Sequence, residues 1–277
     1  MPGISTDQNK NILIVQTVQI APFRTLMTAL KDILLETNIT FTPDGIKIIN
    51  MDKSHTILAH LSLKSQNFEY YECKRPKIVI GVNMFHLFKL INTIDNDDTL
   101  TIYIEEADYT DGVVQFLGLK FENGDIKQQK IQKLRLIEPE SEELDVPNVT
   151  FSSVLNLPSA DFQKIIRDLS CISDKIEIKS VATSEGAELI FKCTGGFAQA
   201  EVRRAESDGG MEYVVKQDIN KIIQGEFSLK NLGYFIKCTN LCTQIEMYLE
   251  NNLPLVVKYN VASLGEIKLC LAPLPPS

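Results

Sequence analysis

The same order of secondary structure is predicted twice along this chain. In each half a strand precedes an amphipathic helix, several short strands follow, and a second helix leads into a last group of strands. The first helices of the two halves begin near Phe23 and Phe162, about 140 residues apart. Two units of like α+β topology are therefore expected, although the letters of the two halves match only faintly.

Apolar residues spaced three and four apart predict four helices. Phe23 and Leu30 belong to such a stripe in the first helix, and Pro22 suits a first turn, where its missing N–H is not needed. Ser159 and Asp161 can supply the polar start of the third helix. The predicted helices are Pro22–Glu36, Val82–Thr93, Pro158–Cys171 and Leu229–Leu241.

Short runs rich in apolar residues and bounded by turn residues predict strands between these helices. In the first half they are Ile12–Ile20, Ile39–Phe41, Gly45–Asn50, Thr56–Leu63, Thr99–Glu105, Val113–Phe121 and Ile126–Ile137. In the second half they are Val149–Leu157, Lys175–Lys179, Ala187–Cys193, Ala198–Arg204, Met211–Lys216, Thr243–Leu249, Leu255–Val261 and Glu266–Leu271.

An acidic connector, Arg135–Phe151, separates the two halves. It carries five acidic residues and two prolines, and it lacks the apolar period of a helix or strand. Leu144, Val146 and Pro147 are grouped inside this acidic stretch, so either they pack back onto the domains or they help to form a docking surface. The chain divides into an N-terminal domain of residues 1–134, a connecting loop of residues 135–151 and a C-terminal domain of residues 152–277.

Charge and composition restrict the function class. A formal net charge of −8 argues against a protein whose whole surface attracts nucleic acid, while a local basic face stays open. The six cysteines form no CxxC pair in a chain long enough to bury a core, which favours reduced intracellular thiols. No apolar run approaches the roughly 20 residues of a membrane span, so a soluble protein without membrane attachment is expected.

Catalytic constellations are missing from the sequence. The three histidines form neither an HExxH motif nor a zinc-ligand cluster, and no phosphate-binding loop, dinucleotide fingerprint or nucleophile elbow occurs. Cys238 and Cys242 are four apart but lack a second ligand pair, which favours core cysteines. We predict no catalytic residue, no metal site and no cofactor, and hence a protein that is not an enzyme.

Cations recur on the polar faces of all four predicted helices. A spacing of three or seven residues places both members of each pair on one helix face. Ordinary solvation explains such charges on any single helix, but four helices that behave alike favour loose phosphate contacts. Asp32, Asp161 and Asp168 lie among the cations and make these faces only moderately positive. The pairs are Arg24 with Lys31, His86 with Lys89, Lys164 with Arg167, and Lys230 with Lys237.

Several stretches resemble the eukaryotic and archaeal sliding clamp, proliferating cell nuclear antigen. They include DGIKIINMDKSH at Asp44–His55, LPSADFQKIIRDLS at Leu157–Ser170, and LPLVVKYNVASLGEIKLCLAP at Leu253–Pro273. Leu61–Cys73 and Gly81–Met84 also match, and the order and spacing hold from about Ile12 to Pro273. The corner M-D-x-S-H and the ending P-L-V-V-x-Y are the most specific of these signals.

The resemblance implies the DNA clamp fold: two similar domains, each with two helices packed on antiparallel sheets, that close into a ring as a homotrimer. Double-stranded DNA passes through such a ring, and the inward helices meet phosphates without reading bases. Ring closure joins edge strands of neighbouring subunits, here Lys127–Leu136 and Phe197–Arg204. The matching DNA-facing cations are Arg24, Lys31, Lys89, Lys164, Arg167, Lys230 and Lys237.

The family's function implies a set of partners. A sliding clamp is a DNA polymerase processivity factor and a docking platform for replication and repair proteins, placed on DNA by an ATP-dependent clamp loader. Partners insert short clamp-binding peptides into a pocket beside the connector. By position, that pocket draws on Met51, His55, Leu58, Leu144, Val146, Pro147, Pro254, Ala272 and Pro273. The location implied is the nucleus, or a cytoplasmic replication site if the source is viral.

Two departures from the family pattern are notable. Cys270 stands where an aromatic residue is common beside the pocket, and Asn92 stands where an inward lysine is usual. These differences indicate a divergent member of the family, with a viral origin as one interpretation. The alternatives are a subunit of a heteromeric checkpoint-type clamp and a peptide-binding scaffold that does not encircle DNA.

Overall fold

The computed structural model describes residues 10–140, 144, 149–184 and 186–275. The chain forms two compact units, one built mainly from each half. Each unit also contains a short segment from the other half: Val261–Glu266 belongs to the first unit and Met51–Ala59 to the second.

The first unit contains two helices, α1 and α2, and strands β1 to β11. One sheet has the strand order β11-β10-β7-β1-β5, a second contains β4-β3-β2-β6, and β8 pairs with β9. The elements are β1 Asn11–Thr17, α1 Ile20–Ile33, β2 Glu36–Thr42, β3 Gly45–Met51, β4 Ile57–Lys64, β5 Tyr70–Cys73, β6 Ile78–Asn83, α2 Met84–Ile91, β7 Thr99–Glu105, β8 Tyr109–Thr110, β9 Val113–Val114, β10 Phe116–Asn123 and β11 Gln128–Arg135.

The second unit contains helices α3 and α4 and strands β12 to β20. Its sheets have the strand orders β20-β19-β18-β12-β16 and β15-β14-β13-β17. The elements are β12 Ser153–Pro158, α3 Ser159–Ser170, β13 Lys175–Thr183, β14 Gly186–Thr194, β15 Gln199–Ala205, β16 Glu212–Val215, β17 Ile222–Ser228, α4 Leu229–Phe235, β18 Gln244–Leu249, β19 Leu255–Val261 and β20 Gly265–Leu271.

The two units repeat the same topology. Apart from the small β8–β9 pair, the elements from β1 to β11 correspond in order to those from β12 to β20. The sheet β11-β10-β7-β1-β5 then matches β20-β19-β18-β12-β16 strand for strand, and β4-β3-β2-β6 matches β15-β14-β13-β17. Neighbours such as β1 and β7, or β12 and β18, run antiparallel. The predicted duplicated α+β fold is therefore confirmed.

Each helix buries its apolar stripe in its own unit. Phe23 and Leu30 of α1, Leu87 of α2, and Phe162 and Leu169 of α3 are at most 5% exposed. The strands bury alternate residues, as in β13, where the burial changes at every position. Because one stripe of each helix faces the core, the polar positions between those residues lie on the outward side.

Several predicted boundaries were wrong. Helix α4 ends at Phe235 and continues as a 3₁₀ segment over Ile236–Leu241, where the Thr239 hydroxyl donates to the Ile236 carbonyl at 2.6 Å. Such a tighter turn is common where a helix ends. The strand predicted from Val149 starts at Ser153, because the residues before it pair with no neighbouring strand.

Four strands were not predicted, and one of them, β8, has only two residues, too few to show a period. Strand β5 is only four residues long and has no buried–exposed alternation to reveal it. Strand β6 was also missed, because it is a nearly continuous apolar run that periodicity alone does not separate from the start of α2. In β17, Gly225 interrupts the pattern, and the Phe227 ring lies where a side chain at that glycine would stand.

Candidate nucleic-acid interface and peptide pocket

The second unit presents unpaired cations on its helices. Lys164 and Arg167 of α3 and Lys230 of α4 are exposed, and in the described part of the chain their side chains have no hydrogen-bond or ion-pair partner. Asp161, also on α3, pairs instead with Arg204 of β15, at 3.2 Å between Oδ2 and Nη2. Asp161 is therefore not paired with Lys164, and Asp168 of the same helix makes no ion pair with either α3 cation among the described residues.

Lys237 belongs to a different local structure. It lies in the 3₁₀ segment after α4, with its ammonium 5.5 Å from the centroid of the Tyr234 ring. The expectation that Lys230 and Lys237 share a helix face assumed one continuous α-helix. That assumption was wrong, because α4 ends at Phe235 and a 3₁₀ segment follows. Since a 3₁₀ turn rotates successive side chains by a different angle, a spacing of seven residues no longer places both side chains on one face.

The cations of the first unit have partners within that unit. Lys31 of α1 pairs with Asp32 at 2.7 Å, and its ammonium lies 4.8 Å from the centroid of the Phe88 ring. The Lys89 ammonium lies 4.5 Å from the centroid of the Phe85 ring. Such cation–π contacts are modestly stabilising at a surface.

Arg24 of α1 is held more firmly. One guanidinium nitrogen donates to the Ile94 carbonyl and another to the Asn96 side-chain oxygen, at 3.2 Å in the second case. Arg24 thus ties α1 to the loop that follows α2.

Six of the nine predicted pocket residues belong to the second unit: Met51, His55, Leu58, Pro254, Ala272 and Pro273. The Ala272 amide donates to the Thr56 carbonyl at 2.9 Å, which fixes the chain after β20 beside the Met51–Ala59 corner. Leu144 is half-buried and belongs to the first unit. Val146 and Pro147 lie outside the described residues.

Asp52 organises the corner between β3 and β4. One carboxylate oxygen accepts the amides of Thr56 and Ile57 at 2.8 and 2.7 Å, and the other accepts the Ser54 amide and hydroxyl. Burial raises the pKa of the Asp52 carboxyl, but these hydrogen bonds outweigh it, so the pKa lies below its ordinary value of 3.8. His55 lies at the tip of this tight turn and has a positive φ of 55°.

Two further contacts fix the surroundings of this corner. The Asn231 side chain donates to the Thr56 hydroxyl at 3.2 Å, and the Leu274 amide donates to the Glu226 carbonyl at 2.7 Å. Sequence reasoning missed these residues as well as Asp52. The D-x-S pattern of Asp52 and Ser54 is a turn signal that could have revealed the role of Asp52, whereas no such signal marks Asn231 or Glu226.

The start of the connector is pinned to the first unit. The Ile137 amide donates to the Gly81 carbonyl of β6 at 3.0 Å, and a side chain at Gly81 would meet the Ile137 carbonyl oxygen at 2.6 Å. Three residues later, the Asn38 side chain of β2 accepts the Glu140 amide at 2.9 Å and donates to the Glu140 carbonyl at 2.7 Å. The Asn38 side chain therefore makes with Glu140 the pair of hydrogen bonds that the backbone of a neighbouring strand would make.

Both strands expected at subunit contacts are sheet edges. Strand β11 is the last strand of its sheet and β15 the last of another. Each is close to a large exposed apolar side chain, Ile131 in β11 at 57% exposure and Phe197 before β15 at 79%. A free edge with exposed apolar residues is a template for pairing with another chain.

No group of three or more potential metal-ligating side chains comes together among the described residues. Cys238 is fully buried, as expected of a core cysteine, and Cys242 is half-buried. Within the same described part of the chain, every helix is too short or too polar to cross a bilayer.

Comparisons with known families match almost the whole chain. Residues 12–143 match the model of the N-terminal domain of proliferating cell nuclear antigen, and residues 145–274 match that of its C-terminal domain. The chain belongs to the proliferating cell nuclear antigen family. The chain is also similar to two viral proteins. One, from Paramecium bursaria Chlorella virus 1, is named probable DNA polymerase sliding clamp 1 and is 29% identical over 97% of this chain and 99% of its own length.

A second relative comes from Acanthamoeba polyphaga mimivirus and is named probable DNA polymerase sliding clamp. It is 34% identical over 83% of this chain, and the match spans 47% of that longer protein. The similarity to both relatives supports the interpretation of this chain as a divergent, viral-type member of the proliferating cell nuclear antigen family.

The two departures from the family pattern occupy defined places. Cys270 lies half-buried in β20, where burial raises the pKa of its thiol to about 11 against an opposing effect of Lys268, so the thiol is neutral at physiological pH. Asn92 is exposed at the carboxyl end of α2 and carries no charge. Both departures are thus uncharged side chains, one half-buried in β20 and the other exposed at the end of α2.

Proposed function

We propose that this member of the proliferating cell nuclear antigen family is a DNA sliding clamp: a processivity factor for a DNA polymerase and a platform for replication proteins. The observation that carries the proposal is the repeat of one topology in two units, both with cations on the outward sides of their helices. The names of the viral relatives agree with this function.

The helix cations suit sequence-independent contact with duplex DNA. Dispersed lysines and arginines attract phosphates without reading bases, and their contacts exchange readily as the duplex moves. The protein as a whole carries a net charge of −8, which limits non-specific attraction elsewhere on its surface. We assign this contact to Arg24, Lys31, Lys89, Lys164, Arg167, Lys230 and Lys237.

The assembly we propose is a homotrimer closed by pairing β11 of one subunit with β15 of the next. The free edges of both strands and the exposed Ile131 and Phe197 support it. A closed ring holds DNA by topology, so tight binding is unnecessary. Such a ring must be opened on circular DNA, which implies an ATP-dependent clamp loader as a partner.

Partner proteins would dock at the corner held by Asp52. Met51, His55 and Leu58 lie on this corner, while Ala272 and Pro273 lie beside it, fixed by the hydrogen bond from Ala272 to Thr56. An apolar peptide side chain fits such a rigid, partly apolar surface. The proposed role is binding alone, without catalysis, at a replication site in the nucleus, or in the cytoplasm if the source is viral.

Solution mass by light scattering tests the proposed ring. We expect about three times the subunit mass of 31.2 kDa, unchanged on dilution to low micromolar concentration. Ile131→Asp should shift the mass toward that of one subunit, because it places a charge on the β11 edge. Ile126→Asp is the matched control: Ile126 is 65% exposed but precedes β11. A wild-type monomer, or a trimer that Ile131→Asp leaves intact, would contradict this mode of closure.

A further inference from the structure

We infer that the two units share the work of DNA contact unequally, with the cations of α3 and α4 in the second unit making most of the phosphate contacts. The inference rests on the proposed clamp function. It concerns which of the seven assigned cations are available to a phosphate, and the side-chain contacts of each unit decide this.

In the first unit Arg24 is committed to a structural role. Its guanidinium donates to the Ile94 carbonyl and the Asn96 side chain, and its buried Nε has no hydrogen-bond partner among the described residues. To reach a phosphate, Arg24 would have to release the loop after α2. That loop would lose the side chain that joins it to α1.

Lys31 and Lys89 are restrained more weakly, but both are engaged. The Asp32 carboxylate lies 2.7 Å from the Lys31 ammonium, so a phosphate near Lys31 also meets a negative charge. The Lys31 and Lys89 ammonium groups lie over the rings of Phe88 and Phe85, at 4.8 and 4.5 Å from the ring centroids. Phe85 itself is 44% exposed, so it holds Lys89 at the surface.

In the second unit the corresponding helices carry cations without such partners. Lys164, Arg167 and Lys230 are exposed, and within the described residues none of them has an ion pair, a hydrogen bond or an aromatic ring beneath it. Two acids on α3 could pair with these cations: Arg204 of β15 holds the Asp161 carboxylate, and Asp168 is exposed and makes no ion pair with Lys164 or Arg167 among the described residues. These three side chains can meet phosphates without losing an existing contact.

The difference has a measurable signature in salt dependence. Each phosphate contact that releases a condensed counterion adds about 0.9 to the slope of log K against log salt on duplex DNA. A lysine already neutralised by an aspartate displaces fewer counterions, because its own field is partly cancelled. Removing an available lysine should therefore lower the slope more than removing a restrained one.

The experiment compares two double variants that remove the same charge. Lys164→Gln with Lys230→Gln takes one lysine from each helix of the second unit; Lys31→Gln with Lys89→Gln does so in the first. Binding to a short, fluorescein-labelled linear duplex is followed by anisotropy from about 20 to 150 mM salt, a range in which phosphate contacts weaken steeply. Lys175→Gln with Lys192→Gln, on strands of the second unit, controls for total charge.

For the second-unit variant we expect the salt slope to fall by about 1.8, about 0.9 for each lysine removed, and the association constant at low salt to fall roughly tenfold. The first-unit variant should lower the slope by less than half as much. Equal losses in the two variants, or a larger loss in the first-unit variant, would overturn the inference while leaving the clamp function intact. If neither variant differs from the strand control, the assignment of the helices to DNA fails as well. A trimeric mass for each variant excludes loss of assembly as the cause.

Discussion

Asp52 shows how one carboxylate shapes a candidate binding surface. It accepts three backbone amides and a hydroxyl within the five residues that follow it, so the corner bearing His55 has a defined conformation before any partner arrives. A preformed corner reduces the conformational entropy that a bound peptide would otherwise have to remove. The residues that touch a partner therefore depend on one that lies beneath them.

Replacing Asp52 by asparagine should cost stability in a pH-dependent way. A carboxyl whose pKa is lowered by folding stabilises the fold above its unfolded pKa, and this contribution is lost as the pH falls through the folded pKa. Because the Asp52 pKa lies below 3.8, the free energy of unfolding of the wild type should exceed that of Asp52→Asn by about 1–3 kcal/mol at pH near 7. The difference should shrink as the pH drops below 3.8.

Urea unfolding of both proteins at several pH values measures this difference. Ser54→Ala removes the hydroxyl donor and keeps the charge, so it should lose less stability than Asp52→Asn at neutral pH. A difference between wild type and Asp52→Asn that stays constant down to pH about 2.5 would show that ionised Asp52 does not hold the corner.

At this scale the sequence predicted the places of residues better than their contacts. Helical periodicity put Lys164 and Arg167 on an outward face, because the period is a local property of the chain. It did not reveal that Arg24 is bound by Ile94 and Asn96, which lie 70 and 72 residues away. Contacts between distant residues depend on the packing of whole elements, which local patterns do not encode.

Among the elements, the acidic connector is held at its start by hydrogen bonds to two strands of the first unit. Its first residues run beside β6 and β2, and Asn38 closes two hydrogen bonds with the backbone of Glu140. The connector therefore starts from a fixed point at Glu140 in the first unit. Any role of Leu144 in binding partners would depend on this anchor, because only a few residues separate the two.

Asn38→Ala should release that fixed point without unfolding the unit. Loss of two partly exposed hydrogen bonds costs about 1 kcal/mol, so exchange of the Glu140 amide should accelerate about fivefold. Affinity for a clamp-binding peptide should fall by a few fold, because the loosened connector must be ordered again on binding. Hydrogen exchange by mass spectrometry and titration calorimetry measure the two effects.

Asn38→Asp is the matched variant for this element. It keeps an acceptor for the Glu140 amide but lacks the donor, so its exchange rate should lie between those of wild type and Asn38→Ala. Exchange at Glu140 that is unchanged in Asn38→Ala would mean that the side chain does not anchor the connector. Faster exchange with unaltered peptide affinity would separate the anchor from the pocket.

Element boundaries were predictable where the apolar period was strong and wrong where it was weak. Helix α3 was expected over Pro158–Cys171 and spans Ser159–Ser170, because four buried apolar residues mark its face. The short α4 contains Gly233 near its end, and the segment that follows it, which includes Thr239 and Asn240, has 3₁₀ geometry. The edge position of β15 followed from family resemblance rather than from its own letters.

For the whole molecule, the repeat along the sequence carried most of the prediction. Two passes through one order of elements gave two units whose sheets have matching strand orders. The number of subunits in a ring does not follow from such a repeat, because ring closure depends on the angle between edges that meet across subunits. The trimer and the encircled duplex are therefore proposals that rest on the family and on the free edges.

Topological retention on DNA tests the clamp function most directly. The protein is mixed at low salt with a linear duplex biotinylated at both ends, the ends are blocked with streptavidin, and the salt is then raised. A closed ring should stay on the blocked duplex at salt that abolishes phosphate contacts, and it should leave after a restriction cut or when the ends are not blocked. Release from the blocked duplex at the same salt as from the open one would show that electrostatic attraction alone held the protein, and would contradict the account of a sliding clamp.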